Sequence, residues 1–154
     1  VKIAAAFDHR GVKLREAVLG AIEAAGHEVI DLGVRDGSTR VDYPDRARDV
    51  GNAIASGQAD RAVLVCGSGV GACVAASKIP GIRAAICHDT YSAHQGVEHD
   101  DMNVLCLGSE VIGDELAGEL VHEFLGARFN EGERYVARLR KVEEIERDAA
   151  RKLS

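Results

Sequence analysis

The stretch VLVCGSGVGACVAASK, residues 63–78, sets one thiol, Cys66, between an apolar run and a loop in which Gly67, Gly69 and Gly71 alternate. Such a loop can line up main-chain N–H groups that stabilise an oxyanion or cradle a phosphate. Their partial positive charge favours thiolate over thiol in an adjacent cysteine, which would make Cys66 a base or a nucleophile. A cysteine closing a strand can equally be a small buried hydrophobe, and position alone leaves both readings open. The G-x-G-x-G spacing departs from the G-x-G-x-x-G of dinucleotide sites, although Asp89 stands about where a ribose-binding acid would. Against a dinucleotide site, the loop follows the third apolar run rather than the first, and 154 residues leave little room for a substrate domain. The lysine and serine of a nucleotide P-loop are absent at the required positions.

Other ionisable residues stand near strand-like runs. Asp8, His9 and Arg10 end the first, His88 and Asp89 end the fourth, and His99, Asp100 and Asp101 precede the fifth. Arg134 and Arg138, four apart, share one helical face, which can grip several oxygens of one phosphate or simply be solvated. His94 and His99 lie in no ligand motif, so no metal site is expected. Cys66, Cys73, Cys87 and Cys106 form no C-x-x-C pair and read as reduced thiols.

The elements that must position these groups follow from periodicity. Five continuous apolar runs, at 2–7, 27–33, 61–67, 81–88 and 103–108, suit strands buried on both faces of a parallel sheet. Helical spacing fills the gaps: from residue 14 to a glycine cap at Gly26, then roughly 44–56, the loop into ACVAASK, 90–97 and 114–125. Strands alternating with helices imply a three-layer αβα doubly wound fold with a five-stranded parallel sheet, as a single domain over 1–154. Ligands in such sheets gather at the carboxyl edge, and the ionisable groups above, His99 and Asp100 included, are expected to converge on one rim there. The tail, about 131–152, reads as one long charged helix with a narrow apolar stripe of Tyr135, Leu139, Val142 and Ile145. It either packs on a partner chain or lies solvated over its own domain.

A net charge of −6 argues against broad nucleic-acid or anionic-membrane binding. The opening VKIAAAF is too short for a signal peptide, and no run approaches a membrane span, so a cytoplasmic protein is expected.

Five ordered motifs, DHRG at 8–11, DYP at 42–44, CGSGVG at 66–71, KIPGIRAA at 78–85 and HDDMNVLCLG at 99–108, together with Arg134 and Arg138, resemble the ribose-5-phosphate isomerase B family. That family also includes allose and galactose phosphate isomerases. The resemblance implies an aldose–ketose isomerase of a sugar phosphate that uses no metal or other cofactor. By it, Cys66 is the base moving a proton between C1 and C2, and the backbone of Gly67, Gly69, Val70 and Gly71 with Ser68 holds the enediolate. His99 would open the sugar ring, with Asp100 beside it at the substrate. Asp8 and Tyr43 would meet the sugar hydroxyls and ring oxygen, while His9, Arg134 and Arg138 would hold the phosphate. The family also implies a homodimer or homotetramer with active sites shared between subunits, the tail helix packing on the partner.

Three departures stand out: Asp100 where the family usually has asparagine, Ser68 for a frequent threonine, and Glu110 where an arginine often helps bind substrate. Arg10, in place of a small or apolar residue, is expected to restore the missing positive charge. Ribose 5-phosphate is the expected substrate, with four- or six-carbon sugar phosphates and a non-catalytic sugar-phosphate sensor as alternatives.

Overall fold

The computed structural model describes residues 1–153; Ser154, the last residue of the expected domain, lies outside the described residues. The five apolar runs form strands β1 (Lys2–Phe7), β2 (Glu28–Asp31), β3 (Arg61–Cys66), β4 (Ala84–Ile86) and β5 (Val104–Gly108). They make one parallel sheet in the order β2-β1-β3-β5-β4. The central strands β1, β3 and β5 are almost wholly buried, which is why their sequences are apolar without alternation. At the edge, β4 is half-exposed and shorter than expected, because Pro80 and Gly81 turn the chain before it.

Helices α1 (Arg15–Ala24), α2 (Tyr43–Ala55), α3 (Val70–Ala76), α4 (Thr90–Asp100) and α5 (Asp114–Gly126) cover the sheet. Gly26 closes α1 with φ +85, as its position promised. Val18 and Ile22 of α1, Val97 of α4, and Leu120 and Phe124 of α5 pack on Phe7, Val65 and Leu107. On the other face, Ala47 and Val50 of α2 with Ala72 and Ala76 of α3 meet Ala4, Ala6 and Leu64. These layers follow from connectivity. Crossovers β1-α1-β2 and β4-α4-β5 step one way along the sheet and β2-α2-β3 and β3-α3-β4 the other, so a single handedness sends them to opposite faces.

One consequence locates the chemistry. The chain leaves β1 toward β2 but leaves β3 toward the opposite edge, so the carboxyl ends of β1 and β3 flank the switch-point crevice where such sheets take ligands. Asp8 follows one strand and Cys66 ends the other.

The tail forms α6 (Glu133–Leu153). It touches the domain at its start, where Asn130 N–H donates to Glu98 O at 2.9 Å, and through Glu146, whose carboxylate accepts from Gly81 N–H. Val142 and Ile145 on its apolar stripe remain 51% and 70% exposed. No helix among the described residues is long and apolar enough to cross a membrane.

Candidate active site

Cys66 is buried, and its Sγ accepts the Gly69 N–H at 3.2 Å. The bend that makes this bond requires φ +82 at Gly69, which a residue with a Cβ pays for in strain. Next along, the exposed Ser68 hydroxyl accepts the Val70 N–H at 3.2 Å and fixes the first turn of α3. Ser109 N–H donates to Cys66 O and Glu110 N–H to Gly67 O, both at 2.9 Å, so β5 anchors the loop beyond the end of the ladder. The loop is therefore rigid, with its sulfur beneath a main-chain donor.

Asp8, 4% exposed, accepts the N–H groups of Arg10 at 3.0 Å and Gly11 at 2.7 Å, both on Oδ1. A 3-10 turn over Gly11–Leu14 follows, ahead of the helix that periodicity starts at residue 14. His9 is held through Nδ1 against Val41, whose O lies at 3.1 Å and N at 3.3 Å, leaving Nε2 as its other polar atom. Pro44 favours the first turn of α2 and so fixes Tyr43 at its start. The Tyr43 ring lies on Gly71, where an added Cβ would stand 2.6 Å from Cζ. The Arg10 guanidinium lies on Gly67 in the same way, 2.7 Å from such a Cβ. Asp8, His9, Arg10, Tyr43, Cys66, Ser68 and the backbone of Gly67–Gly71 thus share the carboxyl edge.

His99, Asp100, Arg134 and Arg138 do not join them. A helix that follows a parallel strand runs back along the sheet, so α4 carries its last turn about 15 Å away, to the start of β5. Met102 N–H donates to Gly96 O there. The expectation that His99 and Asp100 converge on the Cys66 rim is therefore corrected: they sit at the amino edge of the sheet. The His99 ring packs on Tyr135, centroids 4.9 Å apart, and the Arg138 guanidinium lies 5.0 Å from the same ring. Tyr135, read from sequence only as part of an apolar stripe, joins the α4 and α6 groups into one cluster. The candidate site is split into two halves at opposite edges of the sheet.

Two residues at the carboxyl edge, Lys13 and Ser109, escaped the sequence reading, and His88, expected there, makes a contact that it did not foresee. Lys13 pairs with Glu110 at 3.0 Å, and this bond holds the Glu110 carboxyl below its ordinary range. His88 Nε2 accepts the Gly108 N–H at 3.0 Å, and burial lowers its pKa. Ser109 Oγ donates to Arg10 O at 2.8 Å. Each bridges segments distant in sequence, so no local pattern announces it. A groove between α4 and α5 is lined by Glu115, Glu119 and Glu123, a charge that repels phosphate. In the neighbouring pocket, His94 is engaged by Glu98 at 3.0 Å and Glu123 at 3.2 Å.

The model of the ribose/galactose isomerase family matches residues 3–142. Ribose-5-phosphate isomerase B of Escherichia coli (strain K12) is 43% identical over 145 residues, covering 94% of this chain and 96% of that protein. D-erythrulose-4-phosphate isomerase 2 of Mycolicibacterium smegmatis is 40% identical over 132 residues, covering 84% of this chain and 87% of the relative. The solved structure of Clostridium thermocellum ribose-5-phosphate isomerase B superposes with a TM-score of 0.91 at 41% identity, covering 97% of this chain and 99% of that one. Alike to these proteins in sequence and in fold over nearly all of its length, the chain belongs to the ribose/galactose isomerase family.

Proposed function

We propose that this chain is a sugar-phosphate isomerase that interconverts ribose 5-phosphate and ribulose 5-phosphate through an enediolate, with Cys66 as the base. The observation that carries the reading is the Cys66 sulfur held at 3.2 Å by Gly69 N–H in the switch-point crevice. A base must first stand within reach of the proton that it takes, and that bond fixes where the sulfur sits.

On the open-chain aldose, the Cys66 thiolate takes the C2 proton. The C2–H electrons form the C1–C2 double bond, and the carbonyl electrons move to O1. The main-chain donors of the Gly67–Gly71 loop stabilise that oxyanion. The O2 proton then passes to O1, C2 becomes the carbonyl, and the Cys66 thiol returns its proton to C1. Asp8, with both backbone bonds on Oδ1, keeps Oδ2 for a sugar hydroxyl, and Tyr43 borders the same crevice. His9 Nε2 faces the phosphate, whose binding energy positions the reacting carbons.

Ring opening and the rest of the phosphate grip fall to His99, Asp100, Arg134 and Arg138 of a second copy. Two copies related by a twofold axis would complete two sites at once. Val70 and Val74 on α3, 54% and 56% exposed, and the open stripe of α6 supply apolar surface for that contact. A dimer, alone or paired into a tetramer, follows from this reading. Four free thiols fit a cytoplasmic setting.

Replacing the base tests the assignment: Cys66→Ala should lower kcat by about 10²- to 10⁴-fold while leaving the circular dichroism spectrum unchanged. Full activity in that variant would overturn it. A four-carbon substrate is the second reading, favoured by the D-erythrulose-4-phosphate relative, since the proton transfer is the same at either length. Ranking kcat/KM across four-, five- and six-carbon aldose phosphates decides between them.

A further inference from the structure

Arg10, expected from the sequence to supply a positive charge for the substrate, takes no part in the steps proposed above. Its backbone is fixed on both sides: its N–H donates to Asp8 Oδ1 at 3.0 Å and its O accepts Ser109 Oγ at 2.8 Å. Its guanidinium lies against Gly67, with Cζ, Nη1 and Nε between 2.7 and 2.9 Å from where a Cβ would stand, next to the proposed base. Among the described residues it forms no salt bridge. The carboxylate that could have quenched it, Glu110, is held by Lys13 at 3.0 Å and feels Arg10 only as a weaker, longer-range charge.

An arginine without an ion pair, on a backbone pinned at both ends, is prepared for an anion supplied from outside. Its planar fork matches two oxygens of a phosphate, and its neighbour in sequence is His9. The loop amides already serve the developing oxyanion, and Lys13 is engaged by Glu110, so His9 is the neighbour with which Arg10 would share a phosphate. Glu110 left bare would repel a phosphate dianion; the Lys13 bond neutralises it.

The geometry points to Arg10 as the phosphate-binding arginine of this edge, with Lys13 screening Glu110 so that the anion can approach. The inference rests on the isomerase reading and names one of its specificity residues.

The test compares wild type, Arg10→Ala, Arg10→Lys and the double variant Arg10→Ala with Glu110→Arg. Steady-state kinetics use ribose 5-phosphate, and inorganic phosphate is titrated as a competitive inhibitor. Losing one charged hydrogen-bonding partner should raise KM and the phosphate inhibition constant together by about 10- to 100-fold in Arg10→Ala, with kcat nearly unchanged. The double variant should recover much of that loss, because it returns a guanidinium to the edge and removes the carboxylate. Arg10→Lys should fall between, since a point charge replaces a fork.

Unchanged KM and phosphate inhibition in Arg10→Ala overturn the proposal. So does a loss confined to kcat, which would place Arg10 on the enediolate instead. If wild type turns over no aldose phosphate, the isomerase reading fails by itself. Calorimetric titration of inorganic phosphate into wild type and Arg10→Ala then still decides on Arg10: binding lost in the variant supports it, and equal binding overturns it.

Discussion

Acidity alone does not single out the base among the four thiols. The Cys73 pKa is drawn down to about 6, chiefly by a hydrogen bond from Cys106 and further by Ser77, against the opposing effect of burial. Burial and the nearby Asp89 push Cys87 up to about 11. Yet Cys73 sits one turn past the loop, its sulfur 3.7 Å from Ala84 O and 4.0 Å from the Ser77 hydroxyl, whereas Cys66 ends β3 beneath the loop, its sulfur 3.2 Å from Gly69 N. Reach comes before pKa in choosing a base, so Cys73, for all its acidity, is a reactive bystander. Near neutral pH, iodoacetamide should alkylate Cys73 well ahead of Cys87, read by peptide mass, and Cys73→Ser should keep turnover that Cys66→Ala loses. Faster labelling of Cys87, or a Cys73→Ser enzyme as inactive as Cys66→Ala, would refute this division of roles.

Between elements, His88 fastens the end of β4 to the end of β5 through its bond from Gly108 N–H, and Gly108 in turn lies against the Ser68 backbone. Burial lowers the His88 pKa from 6.5, with Asp89 opposing, so the folded protein prefers the neutral ring that can accept this bond. The unfolded chain binds the proton more readily, and stability therefore rises with pH across the window between the two values. The contribution is complete above the unfolded value of 6.5 and declines as pH falls from there through the lower folded value. His88→Asn should lose less of its urea midpoint than wild type between about pH 6.5 and pH 5, because its acceptor does not titrate. Parallel slopes for the two proteins would exclude His88 as the titrating pin. Much of this framework was legible in the sequence: β1, β3 and β5 read as continuous apolar runs because both their faces are covered, and Gly26 marked the end of α1. The error lay in α4. Its expected end near 97 left His99 and Asp100 in a loop, whereas the helix runs to Asp100 and closes on Asp101 at φ 52, a left-handed cap built without glycine. Arg83 supports that cap through the Asp101 carbonyl at 2.6 Å and carboxylate at 3.0 Å, a contact across 18 positions that no local spacing reveals.

For the whole molecule, the direction of α4 decides more than any single residue. A segment that leads into a parallel strand lies at the amino edge, so no adjustment of side chains within one chain brings His99 to Cys66. Glycine spacing and charge pattern identified both groups of residues, but their separation is a property of topology. If catalysis needs both groups, each site takes Cys66 from one chain and His99 from its partner, and inactive variants must complement one another. Cys66→Ala and His99→Asn should each be nearly inactive as a homo-oligomer. In a mixed dimer one site receives the intact Cys66 of one chain and the intact His99 of the other, while the second site carries both defects. Random pairing of equal amounts makes half of the dimers mixed, so co-expressed variants should recover about one quarter of wild-type activity. Sites formed within single chains would recover nothing on mixing, and that outcome would return His99 to a structural role against Tyr135.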